Sequence, residues 1–588
     1  MSLTILNDPH RESTQIFFER FTTEQALTRL REVDARARAS LADLKRTDDE
    51  WIPLSTEIDA EGHVTKSSLG VFDLAWQSLD HPEWPAQIKS ETDRIRSRIE
   101  EVHGVPLRFI IWAGMGGSIE DKTLYNAAGL LKGGPRLYSL DSTDPAKLKA
   151  IFEEMQRLSG EPLPALLRST LVVGMAMGMT SYEPVVNLER IAGLYDRNGI
   201  DARPNFIYMT LPGSVLDQFA GPRGFERIPL QPDGANSTAG RHSAPLTRGS
   251  LYPLAFAGAD LEAWIAGAQL TDEEIHTAWK LSAFLHAQGL EGRDKVSLLL
   301  PESWAAAGLW TKQDVEESLG KSEDLGIKVV IGEKVRLRSF RRIDNPKQDR
   351  VFLAVQRKGE AHPEARNITA LRHAGYPVAI VTFPHAKPLS HYMQFMHYVV
   401  GGLGYLRKMN FVTQPSVELY KSIASEIYAE ANTAGGTANL PVWRGLRMPS
   451  AKELAAQLKK QDFEYGELTW FGDLRYSEEG RALRISLERI ADRIFRSRLK
   501  MPVDIYEGPA MNHSYHEMII GHGRCFSIVM TAARQTRFPA AHYEPDYHMA
   551  QFLSTKLALE RRGRHVVAFP VEAIENLDAY FLEVASHL

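Results

Sequence analysis

The chain has 588 residues, 44% hydrophobic and 24% charged, and its 69 basic and 74 acidic side chains leave a net charge of −5. That length exceeds one small core and predicts several domains, while the modest charge gives no reason to expect nucleic acid or an anionic membrane as partner. A single cysteine, Cys525, excludes an internal disulfide and favours a reducing compartment. The first residues lack a basic region followed by a long apolar segment, and no apolar run reaches transmembrane length. The expected location is therefore cytoplasmic.

Taken in order, residues 22–46 predict a helix, with Thr22 and Gln25 fitting a capping box. A second helix is predicted over 84–102. Leu107 to Ala113 is then a short, nearly continuous apolar run, the pattern of a strand buried on both faces. It leads into Gly114-Met115-Gly116-Gly117-Ser118 and a helix. The strand–turn–helix theme recurs at 136–140 before Asp144-Pro145, at 169–174 before Glu183-Pro184, and ends at 205–209. Such alternation predicts a parallel sheet with helices on both faces. A second α/β set follows, with a helix over 271–288 and strands at 296–300, 327–331, 350–356 and 377–383. Apolar helices are expected at 389–407 and 415–430, and residues 433–449 read as a linker or surface loop. Beyond them come a helix at 477–497, a strand at 525–530, a helix at 546–561, a strand at 564–568 and a closing helix. We place an N-terminal helical segment at 1–94 and α/β domains at 95–265 and 266–430. The C-terminal segment 431–588 is expected to complete the second domain and the site.

Two stretches carry chemistry. Backbone amides between a strand and a helix, as at Gly114–Ser118, suit an anion, although a close-packed turn has the same sequence. The pattern is neither a P-loop nor Gly-x-Gly-x-x-Gly, which disfavours a nucleotide. The second stretch, Glu317-Ser318-Leu319-Gly320-Lys321, sets a carboxylate before a turn in which glycine would let the backbone fold back. It reads either as an acidic helix end or as a general base beside a substrate.

Taken together, the motifs resemble the glucose-6-phosphate isomerase family and its sugar isomerase (SIS) fold. Gly-x-Gly-Gly-Ser after the first strand resembles that fold's turn, and Glu-Ser-x-Gly-Lys resembles the family's base motif. Gly240-Arg241-His242-Ser243 followed by Gly249-Ser250-Leu251-Tyr252-Pro253-Leu254 is similar to Gly-Gly-Arg-(Tyr/Phe)-Ser and the Gly-x-x-Pro-Leu segment after it. Gln414-Pro415-Ser416-Val417-Glu418-Leu419-Tyr420-Lys421 resembles Gln-Pro-x-Val-Glu-x-x-Lys. Gly508-Pro509-Ala510-Met511-Asn512-His513-Ser514 resembles a segment in the isomerase half of bifunctional transaldolase/glucose-6-phosphate isomerases. The resemblance covers roughly 95–588. It implies two flavodoxin-like, three-layer αβα domains with parallel sheets and extra N- and C-terminal helices.

It also implies an aldose–ketose isomerisation through a cis-enediol, interconverting glucose 6-phosphate and fructose 6-phosphate without a cofactor. Glu317 would move the proton between C1 and C2, Arg241 would hold the enediolate oxygen, and Lys421 and His513 would assist ring opening. Gly116, Gly117, Ser118, Thr180, Ser181 and Gln414 would bind substrate. Without the resemblance, Arg241 reads as a salt-bridging arginine and Lys421 as a surface lysine. His513, His516 and His522 lack the further cysteine or glutamate pattern of a metal site, so no metal is expected.

The sequence departs from the family where phosphate should bind. Aligning on Glu183-Pro184 puts Ala176-Met177-Gly178-Met179-Thr180-Ser181 against a Ser-Lys-Ser/Thr-x-Thr-Thr loop, so Met177 replaces the cation. A charge-assisted bond contributes about 1.5–3 kcal/mol. Glu120 and Asp121, in the first turn of the neighbouring helix, would compete with an anion. His516-Glu517 stands where the family has Gly-Gln. Arg336, Arg338, Arg341 and Arg342 could supply replacement charge, although they read first as a solvated basic strand. These departures leave open a binding or regulatory protein of the same fold, or an isomerase of an unphosphorylated sugar. The expected partner is a small sugar phosphate, and the apolar helices leave room for a homodimer.

Overall fold

The computed structural model describes residues 1–23, 55–58, 64–68, 72–234, 240–333, 335–409, 411–412, 414–460, 462–536 and 546–588. The helix expected at 22–46 lies almost wholly outside these residues.

The first sheet has five parallel strands in the spatial order Arg136–Leu140, Phe109–Ala113, Thr170–Ala176, Phe206–Thr210, Glu226–Arg227. Its central strands are buried at every position, because helices cover both faces. One of those helices, Trp84–His103, presents Trp84, Ile88, Ile95 and Ile99 to the core and stops at Gly104, which has φ +66°. Asp144 caps Pro145–Ser159 by accepting from the Ala146 amide at 2.9 Å.

In the second sheet Lys328–Val330, Lys295–Leu299, Arg350–Arg357 and Val378–Phe383 run parallel, and Ser2–Leu6 joins the edge antiparallel to the last. The sequence gives no sign of this edge strand, which is short and half exposed. Thr271 and Glu274 form the capping box of Asp272–Leu290. The two apolar helices are Leu389–Arg407 and Pro415–Ala434, and the stretch read as a linker folds in part into Thr437–Asn439 and Pro441–Arg444.

The α/β layering and the parallel sheets are as the sequence predicts, but the C-terminal region adds a sheet of its own. Val503–Gly508, Tyr465–Phe471, Cys525–Ala532 and His565–Val571 form four parallel strands hydrogen-bonded to neither other sheet. Numbered along the chain within each of these three sheets, the parallel strands follow the order 2-1-3-4, with a fifth strand added after the fourth in the first sheet. In that arrangement the crossovers leave in opposite directions from strands 1 and 3, which opens a crevice at their carboxyl ends.

Two buried clusters of alternating charge join the third sheet to the others. Asp141 and Lys147, beyond the first sheet's edge strand, meet Glu507 and Arg475, with Arg475 Nε 3.0 Å from Glu507 Oε2. Lys312 and Glu316 from the helix Ala307–Leu319, and Lys328 from the second sheet, meet Asp504. Lys312 Nζ lies 2.7 Å from Glu316 Oε1 and 3.0 Å from Asp504 Oδ2, and the Tyr506 hydroxyl donates to Asp504 Oδ2 at 2.8 Å.

Burial alone would raise the Asp504 carboxyl, but Lys312 and Lys328 outweigh it and bring it down to about 2. A carboxylate depressed on folding stabilises the fold above its unfolded value near pH 4, and the effect fades as pH falls toward about 2. Asp504→Ala should therefore lower the free energy of unfolding at pH 7 by about 3–5 kcal/mol, because it leaves two buried ammoniums to share the single carboxylate of Glu316. Urea titrations from pH 7 down to 3 should show the gap between wild type and variant closing.

Candidate active site

Glu317 stands in the last turn of the helix Ala307–Leu319, with Gln313 one turn before it on the same face. Gln313 Nε2 donates to Glu317 Oε2 at 2.9 Å, and Arg241 Nη1 donates to Oε1 at 3.0 Å. Arg241, in the short turn Gly240–His242, is itself clamped. Its Nε donates to Ser318 Oγ at 2.9 Å, and its Nη2 donates to the carbonyls of Val412, at 2.7 Å, and Phe411. Burial pushes the Glu317 carboxyl above its ordinary value, and Arg241, Gln313 and His513 pull it back only in part.

His513 arrives from the C-terminal region. Its Nε2 sits 2.7 Å from Glu183 Oε1, which also accepts from Gln551 Nε2 at 3.0 Å, and its ring stands edge-on to Tyr420. Burial would raise the Glu183 carboxyl, but the contact with His513 outweighs it and leaves the group below the usual carboxylate range. Lys421 Nζ contacts Glu418 Oε1, one turn back on Pro415–Ala434, at 2.8 Å.

These groups meet at a cleft of about 60 Å³ at the carboxyl ends of Phe109–Ala113 and Thr170–Ala176. That is the crevice of the first sheet, where ligands of open α/β sheets bind. Glu317, Lys421, His513, Gln414, Gly117, Ser118 and Ser181 line it together with Met177 and Gly178. Three of the predicted residues do not. Arg241 lies behind Glu317, Thr180 is exposed on the loop, and Gly116 is packed against His513.

The glycines of the turn serve close packing. A Cβ on Gly117 would fall 2.1 Å from the Arg241 backbone nitrogen, and one on Gly116, which has φ +51°, would fall 2.3 Å from the His513 carbonyl oxygen. The loop is thus wedged between the arginine turn and the histidine segment. Gly320 does not serve the sharp reversal expected of it, since its φ of −76° suits any residue. It is needed because a Cβ there would fall 2.4 Å from Met518 Cα.

Neither acid of the neighbouring helix faces the cleft. Asp121 is buried against Lys122 Nζ at 2.8 Å, and Glu120 lines a separate cavity of about 460 Å³ at the carboxyl end of the second sheet. The expected competition with an anion is therefore absent from this geometry. The Arg336–Arg342 stretch forms a short helical turn rather than a strand, with Arg336, Arg338 and Arg342 exposed. His513, His516 and His522 pair separately with Glu183, Glu467 and Asp294.

Gln313, Glu183 and Glu517 also shape the site and were not among the sequence candidates. Gln313 was legible from its four-residue spacing to Glu317. Nothing local marks the other two, whose partners are 100 or more residues away. Glu517 Oε2 accepts from the Ser416 and Val417 amides at 2.9 and 3.1 Å, anchoring the start of the helix that carries Lys421. Burial pushes the Glu517 carboxyl up to about 7 against the pull of Lys321.

No family model matches the sequence. The chain is 28% identical over 198 residues to the glucose-6-phosphate isomerase of Rippkaea orientalis, covering 32% of this chain and 35% of that protein. It is 28% identical over 268 residues to the glucose-6-phosphate isomerase of Thermosynechococcus vestitus, covering 42% and 48%. The match thus spans less than half the length of either relative. Among solved structures, a hypothetical protein from Thermus thermophilus superposes with a TM-score of 0.50 at 22% identity, covering 72% of this chain and 99% of that one. That likeness concerns the fold.

The wedge can be tested without a substrate. Gly117→Ala should lower stability by about 1–3 kcal/mol or more, since the Arg241 backbone must move. Gly445→Ala, where the nearest neighbour is an ordinary 3.4 Å away, should change it far less. Melting curves of the two variants against wild type compare them directly.

Proposed function

We propose that the chain is a sugar-phosphate isomerase, and specifically an aldose–ketose isomerase of the glucose-6-phosphate isomerase type. The observation that carries this reading is a buried carboxylate, Glu317, held by Arg241 and Gln313 on the wall of a cleft shared with Lys421 and His513. The partial sequence similarity to glucose-6-phosphate isomerases supports it. Each carboxylate oxygen has two lone pairs, so Glu317 keeps accepting capacity after binding Arg241 and Gln313. In this reading it takes the proton from C2 of the open-chain aldose and returns it to C1. The cis-enediol between these steps carries developing negative charge on its oxygens. Arg241, fixed by two carbonyls and Ser318, supplies positive potential with no need to reorganise. His513, oriented by Glu183, and Lys421 handle the protons of ring opening and closure.

A second reading, binding without turnover, is favoured by the lining of the cleft, whose dimensions constrain both readings alike. Its volume of about 60 Å³ is well below the roughly 300 Å³ at which small-molecule sites begin. Met177 is buried on its wall, where the family has a cation. Catalysis on a hexose phosphate therefore requires the cleft to widen.

Exchange into deuterated water of the C2 proton of glucose 6-phosphate, and of a C1 proton of fructose 6-phosphate, separates the readings. Wild type should exchange, and Glu317→Gln should slow exchange by about 10²–10⁴-fold, the usual contribution of a positioned base. Absence of exchange by wild type on any sugar phosphate, with binding that survives Glu317→Gln, would establish the second reading. Faster exchange on free than on phosphorylated sugars would assign an unphosphorylated substrate.

The pH profile carries its own sign. A base must be ionised, and burial raises the pKa of Glu317. Activity should accordingly fall off on the acid side at a higher pH than the value near 4.3 typical of an exposed glutamate. The acid limb of kcat/KM between pH 4 and 8 measures it.

A further inference from the structure

One turn before Glu317, the same helix carries Asp314, which meets His242, the neighbour of Arg241, and His397 of the helix Leu389–Arg407. All three are buried, and one donor atom from each lies within 4.8 Å of the others. His397 Nδ1 is 3.0 Å from Asp314 Oδ1, and His242 Nε2 is 3.5 Å from the same oxygen.

The other nitrogen of His397 fixes what these distances mean. Its Nε2 faces the Ala244 carbonyl at 2.8 Å, and a carbonyl can only accept, so Nε2 carries a hydrogen. In the neutral ring, Nδ1 then presents a lone pair to a carboxylate oxygen. Two acceptors at that separation need a proton or a cation between them. A proton would satisfy only the pair His397–Asp314. It would leave His242 Nε2 with Ser318 Oγ at 3.4 Å, beyond ordinary hydrogen-bond length. A cation engages all three side chains together.

We propose that His242, Asp314 and His397 form a buried zinc site. Zinc takes imidazole nitrogen and carboxylate oxygen at about 2.0–2.2 Å in a tetrahedron, which sets neighbouring ligand atoms about 3.3 Å apart. The distances of 3.0 and 3.5 Å to Asp314 Oδ1 bracket that spacing. Ser318 Oγ, 3.4 Å from His242 Nε2 and accepting from Arg241 Nε at 2.9 Å, is a further oxygen beside the three. An imidazole anchored by a backbone carbonyl through its other nitrogen is the usual outer-shell support of a metal ligand. Asp314 offsets one charge of the ion. The role is structural. The ion would tie the Gly240–His242 turn and two long helices together, one residue from Arg241 and three from Glu317.

The test needs no substrate. The full chain, expressed in zinc-supplemented medium without a metal-affinity tag, should contain about one zinc per chain by elemental analysis, falling to near zero in Asp314→Asn and His397→Gln. Removing the metal with a chelator should lower the melting temperature, and added zinc should restore it. Cobalt(II) loaded into the stripped chain should give the intense visible bands of tetrahedral coordination. Less than about a tenth of an equivalent of zinc after incubation and dialysis would overturn the proposal, as would zinc retained in both variants. Should the variants fail to fold, the cobalt spectrum of the wild-type chain decides, and the absence of tetrahedral bands overturns it.

Discussion

The third sheet is held to the other two by buried ions that must be neutralised where they lie. Asp141, Lys147, Arg475 and Glu507 close one junction, and Lys312, Glu316, Lys328 and Asp504 close the other. A buried charge without its partner is costly, so each cluster holds only in one relative placement of the strands and helices that bring its members. The second cluster bears directly on the site. Lys312 and Glu316 lie on the helix that ends in Glu317, and Glu316 Oε1 also accepts from the Val329 amide at 2.8 Å. Fixing that helix along its length sets where the carboxylate of Glu317 stands.

At the other end of the site the constraint is space. Gly116 and Gly117 let the loop after the first strand lie against the backbones of His513 and Arg241, and Gly320 lets the segment around Met518 lie against the base helix. These contacts join segments more than a hundred residues apart in sequence with no side chain between them. Backbone contact of this kind has little freedom to adjust, which makes the arrangement of Glu317, Arg241 and His513 a property of the whole assembly.

The three sheets share one strand order, and each leaves a cavity at the carboxyl ends of its strands, lined around Met177, Leu299 and Phe471 respectively. Among the described residues, only the first of these cavities gathers a carboxylate, a lysine and a histidine. The same topology thus recurs with different lining, and the chemistry belongs to the side chains each crevice receives.

The local elements and most of the candidate site were legible in the residues alone. Apolar runs such as Phe109–Ala113 and Thr170–Ala176 can only be strands covered on both faces, and the Thr271–Glu274 pair starts a helix wherever it sits. Glu317, Lys421 and His513 were legible because their motifs are contiguous. Tyr465–Phe471 and Val503–Gly508 were not legible as buried strands, since they carry Glu467, Asp504 and Glu507. An acid in an apolar run argues against burial until its partner is known, and these partners, His516, Lys328 and Lys147, come from elsewhere in the chain. Glu183 behind His513 and Glu517 at the start of the Lys421 helix were hidden for the same reason. Local periodicity and capping are written in neighbouring residues. Pairing of buried charge and close approach of backbones depend on residues far apart in sequence, so they become visible only in the folded chain.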